Sequence, residues 1–353
     1  MQSFNAIRDI FYLPKKDIEK ILSPRFYTYF HTIFKKPETF TKVLETKKYI
    51  FAITNSKDKV VLDFGCGMGF DCIIFSLLGA KKVIGLDDNE EYILTFKKLI
   101  EFLKLDVENI EPVFSQNGLV HFKDKSINTI IMQEVASHVS GDVFNTILND
   151  IHRVLQTEGC IFMKDENNKL QLPFLSEKRQ RKRLRYIAEN GPVSGRPQLG
   201  IKEPYKVTRE KIIRQHFPLL TEKEITDCVQ KTQGMKRQEI LYSVTQYIKN
   251  ETIQTKPAYK YTDPISGHLF EMEINPFKLQ SLLRKKGFTS HLLPPNLAIV
   301  IKRSDPLFKR ILKKIIQKTI KHPRTFFYPI FLFLDKDIRI LAKKQDTLNH
   351  EKT

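Results

Sequence analysis

At 353 residues with 41% hydrophobic content, the chain has ample apolar material for a buried core, which excludes a disordered protein. The first stretch, MQSFNAIRDIFYLPKKD, lacks the continuous apolar core of a secretory signal. The longest later apolar run, Phe326 to Leu334, is too short to span a bilayer, so neither export nor membrane spanning is expected.

Residues 1–165 carry 21 Lys and Arg against 22 Asp and Glu, so the formal surplus of +19 lies wholly in residues 166–353. That half either meets something anionic (a nucleic acid, a phosphorylated substrate or a lipid surface) or is a Lys-rich solvated surface. Cys66, Cys72, Cys160 and Cys228 form no C-x-x-C pair, so neither a disulfide framework nor a local zinc site is expected, and a reducing cytoplasm fits.

In chain order, residues 1–50 carry scattered aromatics and predict a helical cap. From Lys59, short apolar runs alternate with amphipathic stretches, the pattern of repeated βα units and a parallel sheet. Val60-Val61-Leu62 predicts a first strand and Val83 to Leu86 a second, with a helix over Asp71 to Leu78 that stops at Gly79. The next helix is expected to be capped by Asp88, with Glu91 completing a capping box and Ile93, Phe96, Leu99, Ile100 and Leu103 on one face.

Val113-Phe114 and Ile127 to Met132 predict the third and fourth strands. A stripe of Val143, Phe144, Ile147, Leu148, Ile151, Val154 and Leu155 predicts a helix, then Thr157-Glu158-Gly159 a turn and Cys160 to Met163 a fifth strand. After Lys164 the alternation fails, and Pro or Gly segments at 190–204, 256–267 and 292–296 punctuate predicted helices. A helix over Pro276 to Lys285 closes on Gly287-Phe288, and Ile338 to Ala342 predicts the last strand. The expectation is an α/β, Rossmann-like, doubly wound, mostly parallel sheet with a helical insertion and a C-terminal helical extension. Its parts are a cap at 1–50, a cofactor-binding core at 51–165, an insertion or substrate lid at 166–275 and the end of the core at 276–353.

The strongest motif is VVLDFGCGMGF, residues 60–70, where a buried strand ends in Asp63 and opens into Gly65-x-Gly67-x-Gly69. Glycines here let the backbone approach a ligand, and the following helix start offers free N–H groups. A dinucleotide fingerprint spaces its glycines G-x-G-x-x-G. The tighter spacing here, with a carboxylate just before it, favours a cofactor with an ammonium and a sulfonium and no pyrophosphate. Asp87, about 20 residues beyond the glycines, is placed to accept ribose hydroxyls, a feature NAD proteins share.

Residues 60–165 resemble the class I S-adenosyl-L-methionine (SAM) dependent methyltransferases, particularly the small-molecule type that includes quinone and sterol methylating enzymes. Asp63, Gly65, Gly67 and Gly69 match the family's first motif, Asp87 its ribose-binding acid, and INTIIMQEVASHV (127–139) its fourth-strand segment. HRVLQTEGCIFM (152–163) resembles the segment usually written R-V-L-x-x-G-G, with Glu158 in place of the first glycine. At the end of the third strand the family often has an Asp for the adenine amino group. Here Ser115-Gln116-Asn117 stands instead, so Gln116 or Asn117 is the candidate. The resemblance implies SAM as cofactor and no metal.

SAM is an activated donor, so the protein has mainly to align the acceptor and, for an oxygen acceptor, to remove its proton. His138, just after the fourth strand, is the candidate catalytic base, and Glu134 on the same segment is a candidate for contacting the cofactor or a backbone N–H. An N-P-P-Y type tetrapeptide is absent, Met132-Gln133-Glu134-Val135 standing in its place, which leaves oxygen or carbon acceptors open. KRQRKRLR (178–185) is a candidate phosphate-binding segment. Residues 307–321 read as a basic amphipathic helix that fits an anionic membrane interface or a docked surface helix. The expected partner is a small-molecule acceptor, with peripheral contact to an anionic membrane as a further expectation and RNA less favoured for want of an RNA-module signature. A SAM-binding protein without turnover is the reading from a different class.

Overall fold

The computed structural model describes residues 37–104, 109–115, 122–194, 201–249, 259–293, 332–333 and 335–345. Of these, residues up to Ala136, Asp142–Leu172 and those from Ile274 onward form one compact unit, and Ser137–Gly141 with Pro173–Glu273 form a second.

The first unit follows the order α1 (Pro37–Ile53), β1 (Val60–Phe64), α2 (Phe70–Leu77), β2 (Lys82–Asp87), α3 (Glu90–Phe102), β3 (Ile110–Phe114) and β4 (Ile127–Gln133). It continues through α4 (Gly141–Val154) and β5 (Leu155–Asp165) and returns after the second unit. Among the described residues the strands, completed by β6 (Phe288–Leu292) and β7 (Ile338–Lys344), form one seven-stranded sheet in the order β3-β2-β1-β4-β5-β7-β6, so the doubly wound, mostly parallel fold expected from the sequence is present. β1 to β5 run parallel, while the last two strands run antiparallel to their neighbours. β1 and β2 are buried almost throughout, because helices cover a parallel sheet on both faces and only runs such as VVLDF tolerate that.

On one face, Phe40, Ile50 and Phe51 of α1, Ile73 to Phe75 of α2 and Phe96, Leu99 and Ile100 of α3 pack with Val61, Val83, Ile131 and Phe162. Each such side chain withdrawn from water contributes roughly 2 kcal/mol. In α4, Phe144, Ile147, Leu148, Ile151 and Val154 are buried, but Val143 is exposed and Leu155 already belongs to β5.

Three local readings are corrected. The cap of α3 is Asn89, whose side chain accepts the Tyr92 N–H, and not Asp88 with a capping box; the Asp87 carboxylate holds the Asn89 N–H at 2.9 Å and fixes the cap one residue later. The turn Thr157-Glu158-Gly159 lies inside the span of β5, where the register slips between the pairs Ile127↔Leu155 and Thr129↔Cys160. Glu158 sits there at φ +62°, in the left-handed region that glycine prefers. Finally, α9 (Pro276–Lys285), capped by Asn275, leads into a strand to which no sequence signal pointed, β6 (Phe288–Leu292). It pairs with β7 (Ile338–Lys344).

The second unit holds α5 (Ser176–Asn190), α6 (Tyr205–His216), α7 (Glu222–Lys231) and α8 (Arg237–Ile248). Its core gathers Ile212, Ile213, Ile225, Cys228, Val229, Met235, Ile240 and Val244. A full capping box between Thr221 and Glu224 starts α7. Arg209, 1% exposed, makes a two-pronged ion pair with Glu189, itself buried. Among the described residues no helix is long and apolar enough to cross a membrane. The basic segment 307–321, Pro294-Pro295-Asn296 and the first 36 residues lie outside the described residues.

Candidate cofactor site

The site is built where β1 and β2 end. The N–H groups of Gly65 and Cys66 both reach the Leu86 carbonyl, at 2.7 and 3.0 Å, which ties the loop after β1 to the end of β2. Gly65 stands at φ +75°, and a Cβ on it would lie 2.4 Å from Val135 Cγ2, so no other residue fits. A Cβ on Gly69 would meet the Phe96 ring at 2.1 Å. Gly67 differs: nothing lies within 4 Å of where its Cβ would be, so the loop presents bare backbone to open space at this point.

Asp87, buried at the end of β2, braces that loop. Its Oδ2 accepts the Gly67 N–H at 2.8 Å, and its Oδ1 takes the Asn89 N–H. Asp63, at the end of β1, is 3% exposed and accepts a weak bond from the Cys72 thiol at 3.4 Å. Burial, reinforced by Asp71 and opposed by Lys47, pushes its carboxyl up to about 8. Burial also raises the thiol of Cys72.

Beside Asp63 three side chains from three elements close a ring. Lys47 of α1 donates to Asp71 Oδ2 at 2.5 Å and to Gln133 Oε1 at 3.0 Å, and Gln133 at the end of β4 donates to the same Asp71 oxygen at 2.6 Å. Glu134 follows at φ +54° and turns away to β5: its carboxylate receives Lys164 Nζ at 2.5 Å and the Glu166 N–H at 2.9 Å. Although burial pulls the Lys164 ammonium down, Glu134 and Asp337 hold it well above the ordinary lysine range.

The structure thus brings together Asp63, Gly65, Gly67, Gly69 and Asp87 and gives Glu134 a backbone N–H and a lysine as partners. Ser115 is buried, with its N–H on the Asp87 carbonyl, while Gln116 and Asn117 lie outside the described residues. His138 belongs to the second unit, where its Nδ1 is 2.9 Å from the Leu269 carbonyl and its own carbonyl accepts the Leu269 N–H. Sequence reasoning missed Lys47, Asp71 and Gln133. Asp71 lies one residue beyond the glycine motif and was within reach; Lys47 sits in an unremarkable amphipathic helix and carries no local signal.

The donor set suits SAM. A bare loop at Gly67 admits close approach, and Asp63 and Asp87 suit an ammonium and a ribose diol. No group of three or more His, Cys, Asp or Glu side chains among the described residues could hold a metal ion.

Sheet order, glycine loop and the two strand-end acids define a class I SAM-dependent methyltransferase fold. The chain belongs to the methyltransferase domain family, whose model matches residues 55–238, more than half of the 353, and the cofactor that goes with it is SAM. An uncharacterized protein of Haemophilus influenzae is 24% identical over 149 residues, which span 40% of this chain and 56% of that protein. Another, from Methanocaldococcus jannaschii, is 32% identical over 90 residues, covering 24% of this chain and 40% of that one. The chain therefore spans about half the length of these relatives. A SAM dependent methyltransferase from Aquifex aeolicus aligns with a TM-score of 0.32 and 21% identity, over 37% of this chain and 68% of that one, and adds nothing to the family match.

Proposed function

We propose that the chain transfers the methyl group of SAM to an oxygen or carbon atom of a small anionic acceptor, such as a phosphorylated or lipid-linked saccharide. The observation that carries this reading is the loop Gly65–Gly69, braced through Gly67 by Asp87 and flanked by buried Asp63, within a chain of the methyltransferase domain family. When bound, the cofactor supplies an electrophilic methyl group. The protein's residues have then to hold its cationic end and exclude water.

Support for an anionic acceptor comes from α5. Arg179, Lys182 and Arg183 share one exposed helical face and have no ion-pair partner among the described residues, whereas Lys178 and Arg185 are spent on Glu273. For an oxygen acceptor, His138 is our candidate base. A carbonyl can only accept, so the Leu269 oxygen places the proton on Nδ1 and leaves Nε2 free to take one.

The test is incubation with SAM and fractionated pools of phosphorylated and lipid-linked saccharides, followed by S-adenosylhomocysteine release. Release with such a pool and none without is the expected result; SAM binding with no release from any pool would favour a non-catalytic SAM-binding protein. A second reading, RNA methylation, is favoured by Tyr186, 62% exposed, one turn beyond Lys182 and Arg183 on the same helical face, where a base can stack. Salt-sensitive retention of RNA that is lost with Tyr186→Ala would move the assignment there.

A further inference from the structure

We infer that Lys47 reads the α-carboxylate of the cofactor and so selects intact SAM over a donor that lacks this group; the inference rests on the reading of the site as a SAM site. A lysine side chain is rarely as withdrawn as this one, 14% exposed, unless its charge is used. Its ammonium is pinned by Asp71 and Gln133, so α1, the start of α2 and the end of β4 together fix one nitrogen in place. An ammonium has three N–H groups, and two are spent on this ring. The third has no acceptor among the described residues.

The charges around it say what the third N–H is for. The methionine end of SAM is a zwitterion, so its ammonium needs a carboxylate and its carboxylate needs a cation. Asp63 and Asp71 lie together beside the loop, and Lys47, paired with Asp71 at 2.5 Å, opposes the charge of both. Without that cation, three acidic side chains (Asp63, Asp71 and Asp87) would prefer the more positive ligand. Decarboxylated SAM carries one positive charge more than SAM, so electrostatics alone would rank it first. A single fixed N–H aimed at the carboxylate reverses that order. If Lys47 served only to neutralise Asp71, the double variant Lys47→Met with Asp71→Asn, which removes the pair without changing the net charge, would keep the wild-type preference; a direct contact with the carboxylate predicts that it is lost there too.

The experiment is calorimetric titration of SAM and of decarboxylated SAM into the full chain, wild type, Lys47→Met and Lys47→Arg. In the wild type, SAM is expected to bind the tighter of the two by about tenfold to a hundredfold, the worth of one charge-assisted hydrogen bond. Lys47→Met should lose that preference or invert it while still binding decarboxylated SAM, which also reports that the site has folded. Lys47→Arg should recover part of it. A wild type without preference, or a Lys47→Met variant that keeps it, overturns the inference while leaving the SAM site standing. Binding of neither ligand by the wild type removes the site reading and the inference together.

Discussion

The Gly67 amide donates to Asp87 Oδ2 at 2.8 Å, so a residue from the end of β2 fixes the middle of the loop that follows β1. The other oxygen of the same carboxylate holds the Asn89 amide at the start of α3. Replacing Asp87 by Ala leaves two partly buried amides without a partner, each such loss costing about 1–3 kcal/mol. Asp87→Ala is expected to lower the melting temperature and to abolish SAM binding by calorimetry. Unchanged SAM affinity would mean that this carboxylate is only a brace.

Asp63 links pH to both stability and binding. Its carboxyl, about 8 in the folded chain and about 4 when unfolded, is held neutral by burial, so its contribution is fully present below the unfolded value and is lost as pH rises through 8. Melting curves of the ligand-free protein should therefore fall between about pH 4 and 8. Asp63→Asn, which keeps the shape without the charge, should flatten that fall and raise stability at the alkaline end. The same substitution should cost SAM affinity, since an amide cannot pair with an ammonium. In the wild type, binding near pH 6.5 is expected to release roughly one proton, read from titrations in buffers of different ionisation enthalpy.

Glu158 occupies a left-handed conformation, at φ +62°, on the exposed turn inside β5. Glu158→Gly should stabilise the protein by about 0.5–1 kcal/mol, because the relief of the Cβ clash exceeds the entropy a glycine loses on folding. Denaturant midpoints check this, and a loss of stability would refute the strain. Gly159 is its opposite: a Cβ there would meet the Gln156 carbonyl oxygen at 2.8 Å, so Gly159→Ala is expected to destabilise.

Gly65 and Val135 form a testable pair. Gly65→Ala places a Cβ 2.4 Å from Val135 Cγ2 in a backbone conformation that disfavours it, an expected loss of about 2–4 kcal/mol. Adding Val135→Ala should return the steric part and leave the conformational part. Strict additivity of the two changes in a double-mutant cycle would show that the side chains do not meet.

The buried Arg209–Glu189 pair should behave asymmetrically. Removing one partner, as in Glu189→Gln, strands a charge inside the helical unit and is expected to cost about 3–5 kcal/mol. Exchanging both for apolar residues of similar volume, Arg209→Met with Glu189→Leu, is expected to cost much less, as thermal melts would measure.

What the sequence disclosed is what local pattern can carry. Runs such as VVLDF and the stripe from Phe144 to Val154 are written in adjacent residues, and so were legible, as was the glycine loop with Asp63 and Asp87. β6 was not: its residues FTSHL alternate between buried and exposed at a sheet edge, and they become a strand by pairing with β7, some 50 residues later. The cap of α3 turned on a choice between neighbouring Asp88 and Asn89, which a bond to Asp87 decided. Lys47 was silent because its meaning comes from Asp71 and Gln133, 24 and 86 residues away.

The position of β7 has a consequence for how the chain acquires its structure. The last strand in sequence among the described residues lies between β5 and β6, not at the rim of the sheet. Until residues 338–344 leave the ribosome, β5 exposes an open edge from Cys160 to Asp165, and β6 has nothing to pair with. The nascent chain thus closes this sheet only once β7 has emerged, more than 170 residues after β5. Ribosome stalling or a premature stop just before Ile338 should yield a product that aggregates through that edge, where a chain seven residues longer would fold.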